Sequence, residues 1–90
     1  MPIRGIDQKA RKEFFATVGK FKNRSDFEQF FKDLVSSSEI KDLSRRYLAA
    51  KLLSQGKTYQ EIEIMMGMSP VTVNKIHFKT KGSRVLPSLF

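Results

Sequence analysis

The stretch that leaves the chain least freedom runs from Lys57 to Lys79, KTYQEIEIMMGMSPVTVNKIHFK, where two helix starts bracket one helix stop. Thr58 and Glu61 have the T-x-x-E spacing of a capping box, in which each side chain satisfies a backbone N–H of the other residue. Gly67 supplies the stop, because glycine enters the left-handed conformation without a Cβ clash. Ser69 and Pro70 make the second start: serine caps, and proline stands in a first helical position where its missing N–H costs nothing. This punctuation predicts two short helices joined by a sharp turn. Ile62 and Met66 share one face of the first helix, Val73 and Ile76 share one face of the second, and Met68 plugs the corner. Ser69, Val71, Thr72, Lys75 and Lys79 then face outward, with no acid among them. A helix-turn-helix with a small, polar and basic outer face fits the major groove of double-stranded DNA. One position departs from the common pattern: the residue four before the turn glycine, where the helices touch, is usually small, and here it is Glu63.

Charge points the same way. The 90 residues carry a formal net charge of +8, which favours a polyanionic partner. All nine acids, Asp7 through Glu63, precede the turn glycine, and only Lys75, Lys79, Lys81 and Arg84 follow it. The second helix and its exit are therefore the most purely basic part of the chain.

Upstream, periodicity continues to read helix. Ile6, Ala10, Phe14, Val18 and Phe21 form one face of a helix expected over 7 to 23, with Gly19 as a weak point or bend. After Lys22-Asn23-Arg24, Ser25 with Glu28 predicts the next start, followed by an aromatic face of Phe27, Phe30, Phe31, Leu34 and Val35. Ser36 with Glu39 predicts a third, and Val35 with Ile40 has the spacing of a hydrophobic staple. That third helix is expected to reach about Gln55 and to stop at Gly56. Ile40, Leu43, Tyr47, Leu48, Ala50, Leu52 and Leu53 leave it so little polar circumference that it should be the buried central helix. Thr80 to Ser83 reads as a flexible exit, and Val85, Leu86, Leu89 and Phe90 form a tail too apolar to be solvated. That tail packs either on its own domain or on a partner subunit. No strand, repeat or linker is expected.

The totals bound the rest. A chain this short reads as a single all-α domain over 1–90. Residues 1–35 would form N-terminal helices for a dimer core, 36–56 the central helix, 57–79 the helix-turn-helix and 80–90 the apolar tail. Eight phenylalanines, six of them within the first 31 positions, exceed what so small a core can enclose together with the tail, which argues for a homodimer. The absence of cysteine excludes disulfides and a thiolate zinc site, and a single histidine argues against a histidine-based metal site, so no metal or cofactor is expected. Neither a membrane span nor a signal peptide is legible, which fits the cytoplasm. No enzyme is expected either. Glu61, Glu63 and His77 are the only suggestive combination; Glu61 is engaged as a cap, and no nucleophile stands beside a base.

From Leu34 to Lys79 the chain is similar to the tryptophan repressor superfamily of bacterial transcription regulators. The matching residues are Leu34-Val35-Ser36-x-x-Glu39-x-x-x-Leu43-x-x-Arg46, then Leu52-Leu53-x-x-Gly56-Lys57-Thr58-Tyr59-x-Glu61-Ile62, then Gly67-x-Ser69-x-x-Thr72-Val73. The resemblance covers about half the chain. It implies an intertwined homodimer whose central helices cross and whose two reading heads face successive major grooves. It also implies a place for a corepressor, which the founding member fills with tryptophan through an arginine of the central helix and an arginine-glycine pair of the reading helix. Arg46 matches the first of these, but Lys75 and Ile76 stand where the pair would be. Lysine lacks the planar fork that grips a carboxylate, and isoleucine occupies room left for the ligand, so tryptophan is not expected to bind and any other corepressor is left open.

The residues thus predict a sequence-specific, dimeric DNA-binding regulator that represses by covering promoter DNA. Lys79, Lys81 and Arg84 are expected at phosphates, and Ser69, Val71, Asn74 and Lys75 at base edges. Gln60, Pro70 and Thr72 are further candidates, and Arg46 is the candidate ligand residue. The competing expectation is a protein-interaction adaptor that uses the helical hairpin and the Phe-rich faces, and it would show no salt-dependent DNA binding.

Overall fold

The computed structural model describes residues 3–90. Six helices and no strand occur among them: α1 Ile6–Val18, α2 Arg24–Leu34, α3 Ser37–Ser54, α4 Tyr59–Met66, α5 Pro70–Gly82 and α6 Leu86–Leu89. The expected all-helical class is what the chain adopts, with the tail adding a short sixth helix. Two compact units divide the chain, one extending to Ser36 and the other spanning Ser37–Phe90.

In the first unit α1 is shorter than its periodicity suggests. It ends at Val18, where Gly19 donates to the Phe15 carbonyl (3.1 Å) and Lys20 to that of Thr17 (3.0 Å), a tight closing turn. Phe21 therefore leaves the helix, yet its ring still meets Phe27 and Phe30 at centroid separations of 5.8 and 5.0 Å. The start of α2 also differs from expectation. Asn23 rather than Ser25 is the cap, its Oδ1 accepting from the Asp26 N–H at 2.8 Å. Asparagine caps as well as serine does and comes first in the chain, so Ser25 falls inside the helix. Glu28, freed from a capping role, accepts instead from Arg24 Nε at 2.8 Å. Phe14, Phe21, Phe27, Phe30 and Phe31 form one edge-on and stacked network, but no residue of α1 or α2 is buried.

The second unit has a closed core. Ala49 and Ala50 of α3, Ile62 and Met66 of α4, and Val73 and Ile76 of α5 are buried together, with Leu52, Leu53, Tyr59, Met68 and Phe90 packed around them. The two alanines allow the three helices to approach closely at that point. Helix α3 ends as its glycine requires: Gly56 sits at φ 93°, its N–H reaches the Leu53 carbonyl (3.1 Å), and the Lys57 N–H reaches that of Leu52 (3.0 Å). Helix α3 touches α4, α5 and α6, so it is central, but it is not buried along its length. Only Ala49 and Ala50 are enclosed, while Leu43 is 58% and Tyr47 48% exposed. Its apolar circumference exceeds what three short neighbours cover.

The exit after Lys79 is helical rather than irregular. Helix α5 runs on to Gly82, and buried Thr80 donates its hydroxyl to the Ile76 carbonyl at 2.7 Å, which ties the last turn down. Ser83 then accepts from the Leu86 N–H at 3.0 Å and opens α6. The tail docks on its own unit: α6 packs on α3 and α5, and the Phe90 ring meets Tyr47 at 5.7 Å. Val85 and Leu89 remain turned outward.

Candidate nucleic-acid interface

The turn between α4 and α5 is built by short-range chemistry. Thr58 Oγ1 accepts from the Glu61 N–H at 3.1 Å, and Glu61 Oε1 accepts from the Thr58 N–H at 3.3 Å, completing the box. The backbone hydrogen bond from Thr58 holds the Glu61 carboxyl below the usual carboxylate range, helped by the Thr58 hydroxyl and by Lys57. Gly67 ends α4 at φ 62°, ψ 37°, and both its own N–H and that of Met68 converge on the Glu63 carbonyl. Glu63 is half-buried and does not prevent α4 from packing on α5. Ser69 Oγ accepts from the Thr72 N–H at 3.2 Å and lies 3.0 Å from the Thr72 hydroxyl, while Pro70 occupies the first turn of α5.

This arrangement sorts the sequence candidates. Ser69, Pro70 and Thr72 build the start of α5; Ser69 and Thr72 are hydrogen-bonded to each other and Thr72 is half-buried. Val71, Asn74, Lys75 and Lys79 are exposed along α5, and Lys81 is exposed in its last turn. Gln60 is exposed in the first turn of α4, and Arg84 lies in the link between α5 and α6. Val73, Ile76 and Thr80 face the core, so the exposed residues stand on a helix held rigidly from behind.

Two hollows flank α5. One, between α3 and α5, has a volume of about 730 Å³ and is lined by Leu43, Arg46, Tyr47, Lys75, Ile76 and Lys79 among others. It brings Arg46 and Lys75 to one apolar-floored space, and Ile76 lines this space without filling it. The other, about 410 Å³, is lined by Tyr59, Asn74, His77, Phe78, Lys81 and Gly82. Two of its members escaped sequence reasoning. Phe78 is 77% exposed on α5, on the face opposite Val73, Ile76 and Thr80. Its spacing from Asn74 and Lys81 was the available signal. Tyr59 passes for ordinary apolar filling until its hydroxyl is located: it lies 3.2 Å from Asn74 Oδ1 and within hydrogen-bond distance of His77 Nδ1.

A sequence model of the Trp repressor protein family matches residues 9–86. The chain belongs to that family. The Trp repressor proteins are regulators rather than enzymes. The uncharacterized protein YerC of Bacillus subtilis (strain 168) is 30% identical over 76 residues, which are 84% of this chain and 73% of YerC. A crystal structure from Staphylococcus aureus, assigned provisionally as a Trp repressor, superposes with a TM-score of 0.77 at 29% identity. The match covers 98% of this chain and 90% of that one. The all-helical fold is thus that of a Trp repressor-like protein. Among the described residues no helix is long and apolar enough to cross a membrane.

Proposed function

We propose that this Trp repressor family member is a sequence-specific DNA-binding transcriptional regulator that works as a homodimer and represses by occluding promoter DNA. The observation that carries this reading is the outer face of α5. Val71, Asn74, Lys75, Phe78 and Lys79 stand exposed on a helix whose other side is locked into a core, and no acid follows Glu63 in the chain. A rigid helix whose outer face carries lysines and no acid can enter a major groove, with Lys79, Lys81 and Arg84 at phosphates. Asn74 can pair with adenine and Lys75 with guanine, while Val71 lies against a thymine methyl. Ser69, Pro70 and Thr72 serve by fixing the start of that helix, and Gln60 reaches the DNA from α4.

Pairing of two chains is supported by the uncovered row on α3. Leu43, Tyr47 and Leu48 lie exposed on the second unit, together with Val85 and Leu89. A second copy would remove this surface from water and space two reading heads for successive grooves. The protein is therefore expected to be dimeric at micromolar concentration by light scattering; a monomer would sink this part of the reading. Tryptophan is not the ligand that Lys75 is built to grip, and adding it is expected to leave DNA affinity essentially unchanged.

Fluorescence anisotropy tests the central claim, using the DNA upstream of this protein's own gene and a scrambled copy, each titrated at several salt concentrations. Tight binding to the first, weaker binding to the second and a steep salt slope on both are expected. Lys75→Ala should weaken the target more than the scrambled duplex, by about fivefold or more. Equal losses on both duplexes would demote Lys75 to a phosphate contact. A second reading draws on exposed apolar residues of the hairpin, Ile64, Met65 and Phe78, which an adaptor protein would use on a protein partner. No DNA binding even at low salt would favour it.

A further inference from the structure

We propose that Tyr59 is a positioning residue for base recognition: its hydroxyl orients the side-chain amide of Asn74, with His77 as the third member of the same hydrogen-bonded group. The inference rests on the reading of α5 as a DNA-reading helix and adds to it the device that makes one of its residues selective.

Asn74 is exposed on α5, and an exposed carboxamide ordinarily turns freely. Its two ends have nearly the same shape and opposite chemistry, one accepting and the other donating. Pairing with adenine requires both ends in one order, the oxygen toward the amino group and the nitrogen toward N7. A hydroxyl donor fixed beside the oxygen settles that order before DNA arrives. Tyr59 supplies it, its Oη 3.2 Å from Asn74 Oδ1. The oxygen keeps a second lone pair and the nitrogen keeps both of its hydrogens, so the pairing groups remain open.

Tyr59 is itself held firmly enough to orient a neighbour. It is the first residue of α4, half-buried, and packed against the core of the second unit. Its ring meets the His77 ring edge-on, with centroids 5.2 Å apart and planes at 86°. The hydroxyl carries one proton but faces two acceptor positions, Asn74 Oδ1 and His77 Nδ1. With the amide oxygen toward the hydroxyl, all three groups are satisfied when His77 carries its proton on Nδ1 and donates to Tyr59 Oη, which then donates to Asn74. The tautomer of His77 thus directs the tyrosine proton toward the asparagine. Without a proton on Nδ1 the hydroxyl could accept from the Asn74 amide nitrogen as readily as donate to its oxygen, so His77 shares in fixing the order.

The test uses the full chain and a set of duplexes that differ only at the adenine position read by Asn74, located by selection from random DNA with the unaltered protein. Tyr59→Phe keeps the ring and its packing and removes the hydroxyl. It should lose about fivefold in preference for adenine at that one position while its affinity for scrambled DNA stays unchanged. Tyr59→Phe added to Asn74→Ala should cost no further selectivity. His77→Phe should lose part of the same preference, by less than Tyr59→Phe does. In the free protein, the Asn74 side-chain amide resonances should move in Tyr59→Phe, and nitrogen-15 shifts of His77 should show the proton on Nδ1. Those resonances keep the proposal testable should Tyr59→Phe lower stability. Specific binding with adenine preference intact in Tyr59→Phe, or an Asn74 amide unmoved by the substitution, would overturn the proposal alone. Failure of the unaltered protein to bind any DNA would instead overturn the reading beneath it, and the proposal with that reading.

Discussion

The two units of this chain invert the usual relation between aromatic content and burial. The first holds six of the eight phenylalanines and encloses nothing, whereas the second holds two and has a core in which Ala49, Ile62 and Val73 are wholly removed from water. The difference lies in the number of surfaces available. Two helices can touch along one line and must leave the outer half of each aromatic face open. Helices α3, α4 and α5 surround a volume, so even alanine becomes a core residue there. A large side chain is an offer of apolar surface, and geometry decides whether it is taken up.

The sharpest way to break this comparison is to truncate one residue in each unit. Ile62→Ala should cost about 3 kcal/mol, because a fully buried side chain leaves a cavity that its neighbours cannot close. Phe15→Ala, at a ring 64% exposed, should stay within about 0.5 kcal/mol. Urea unfolding at one fixed protein concentration measures both. A large loss at Phe15 would mean that another chain covers it.

Backbone strain gives a smaller contrast. Gly67 (φ 62°) and Gly5 (φ 77°) are both left-handed, and a Cβ at either would meet nothing within 4 Å, so only the backbone cost operates. Gly67→Ala should lose about 1 kcal/mol, since the turn it makes is held by core residues on both sides. Gly5→Ala should lose less than about 0.5 kcal/mol, since the first turn of α1 can fray to relieve the strain.

The smallest effect is on pH. Glu61 and Glu28 both titrate below the ordinary carboxylate range in the folded chain, Glu61 chiefly through the backbone N–H of Thr58 and Glu28 chiefly through its hydrogen bond from Arg24. A depressed folded pKa means that each contribution is complete above the unfolded value and disappears as pH falls through the folded one. Acid titration followed by carboxyl NMR should show both shifts. High salt should move Glu28 toward its ordinary value and leave Glu61 nearly in place, because an exposed ion pair is screened and a capping hydrogen bond is not.

How much was legible in the sequence follows the range of the interactions. The Thr58 box, the Gly67 stop and the Ser69-Pro70 start were readable because each is settled within four residues. The cap of α2 was misplaced because Asn23 and Ser25 both qualify and the chain takes the earlier one. The last turn of α5 was missed because Thr80 reads as a polar linker residue until α3 and α6 are seen to pack around it. Tyr59 was hidden for a related reason: its hydroxyl reaches Asn74 and His77 across fifteen and eighteen residues of sequence. Across α4 and α5, local chemistry places the helices, while the order of their surface groups comes from neighbours the sequence does not put beside them.

The open apolar row on α3 has a bearing on dosage. On the dimeric reading, only paired chains present two reading heads at the right spacing, and the pairs are drawn from a pool of single chains. At low abundance the number of pairs rises with the square of the number of chains, so halving synthesis would cut promoter occupancy about fourfold where pairing is weak. A cell would then read changes in expression of this protein as a steep threshold without any small molecule being involved.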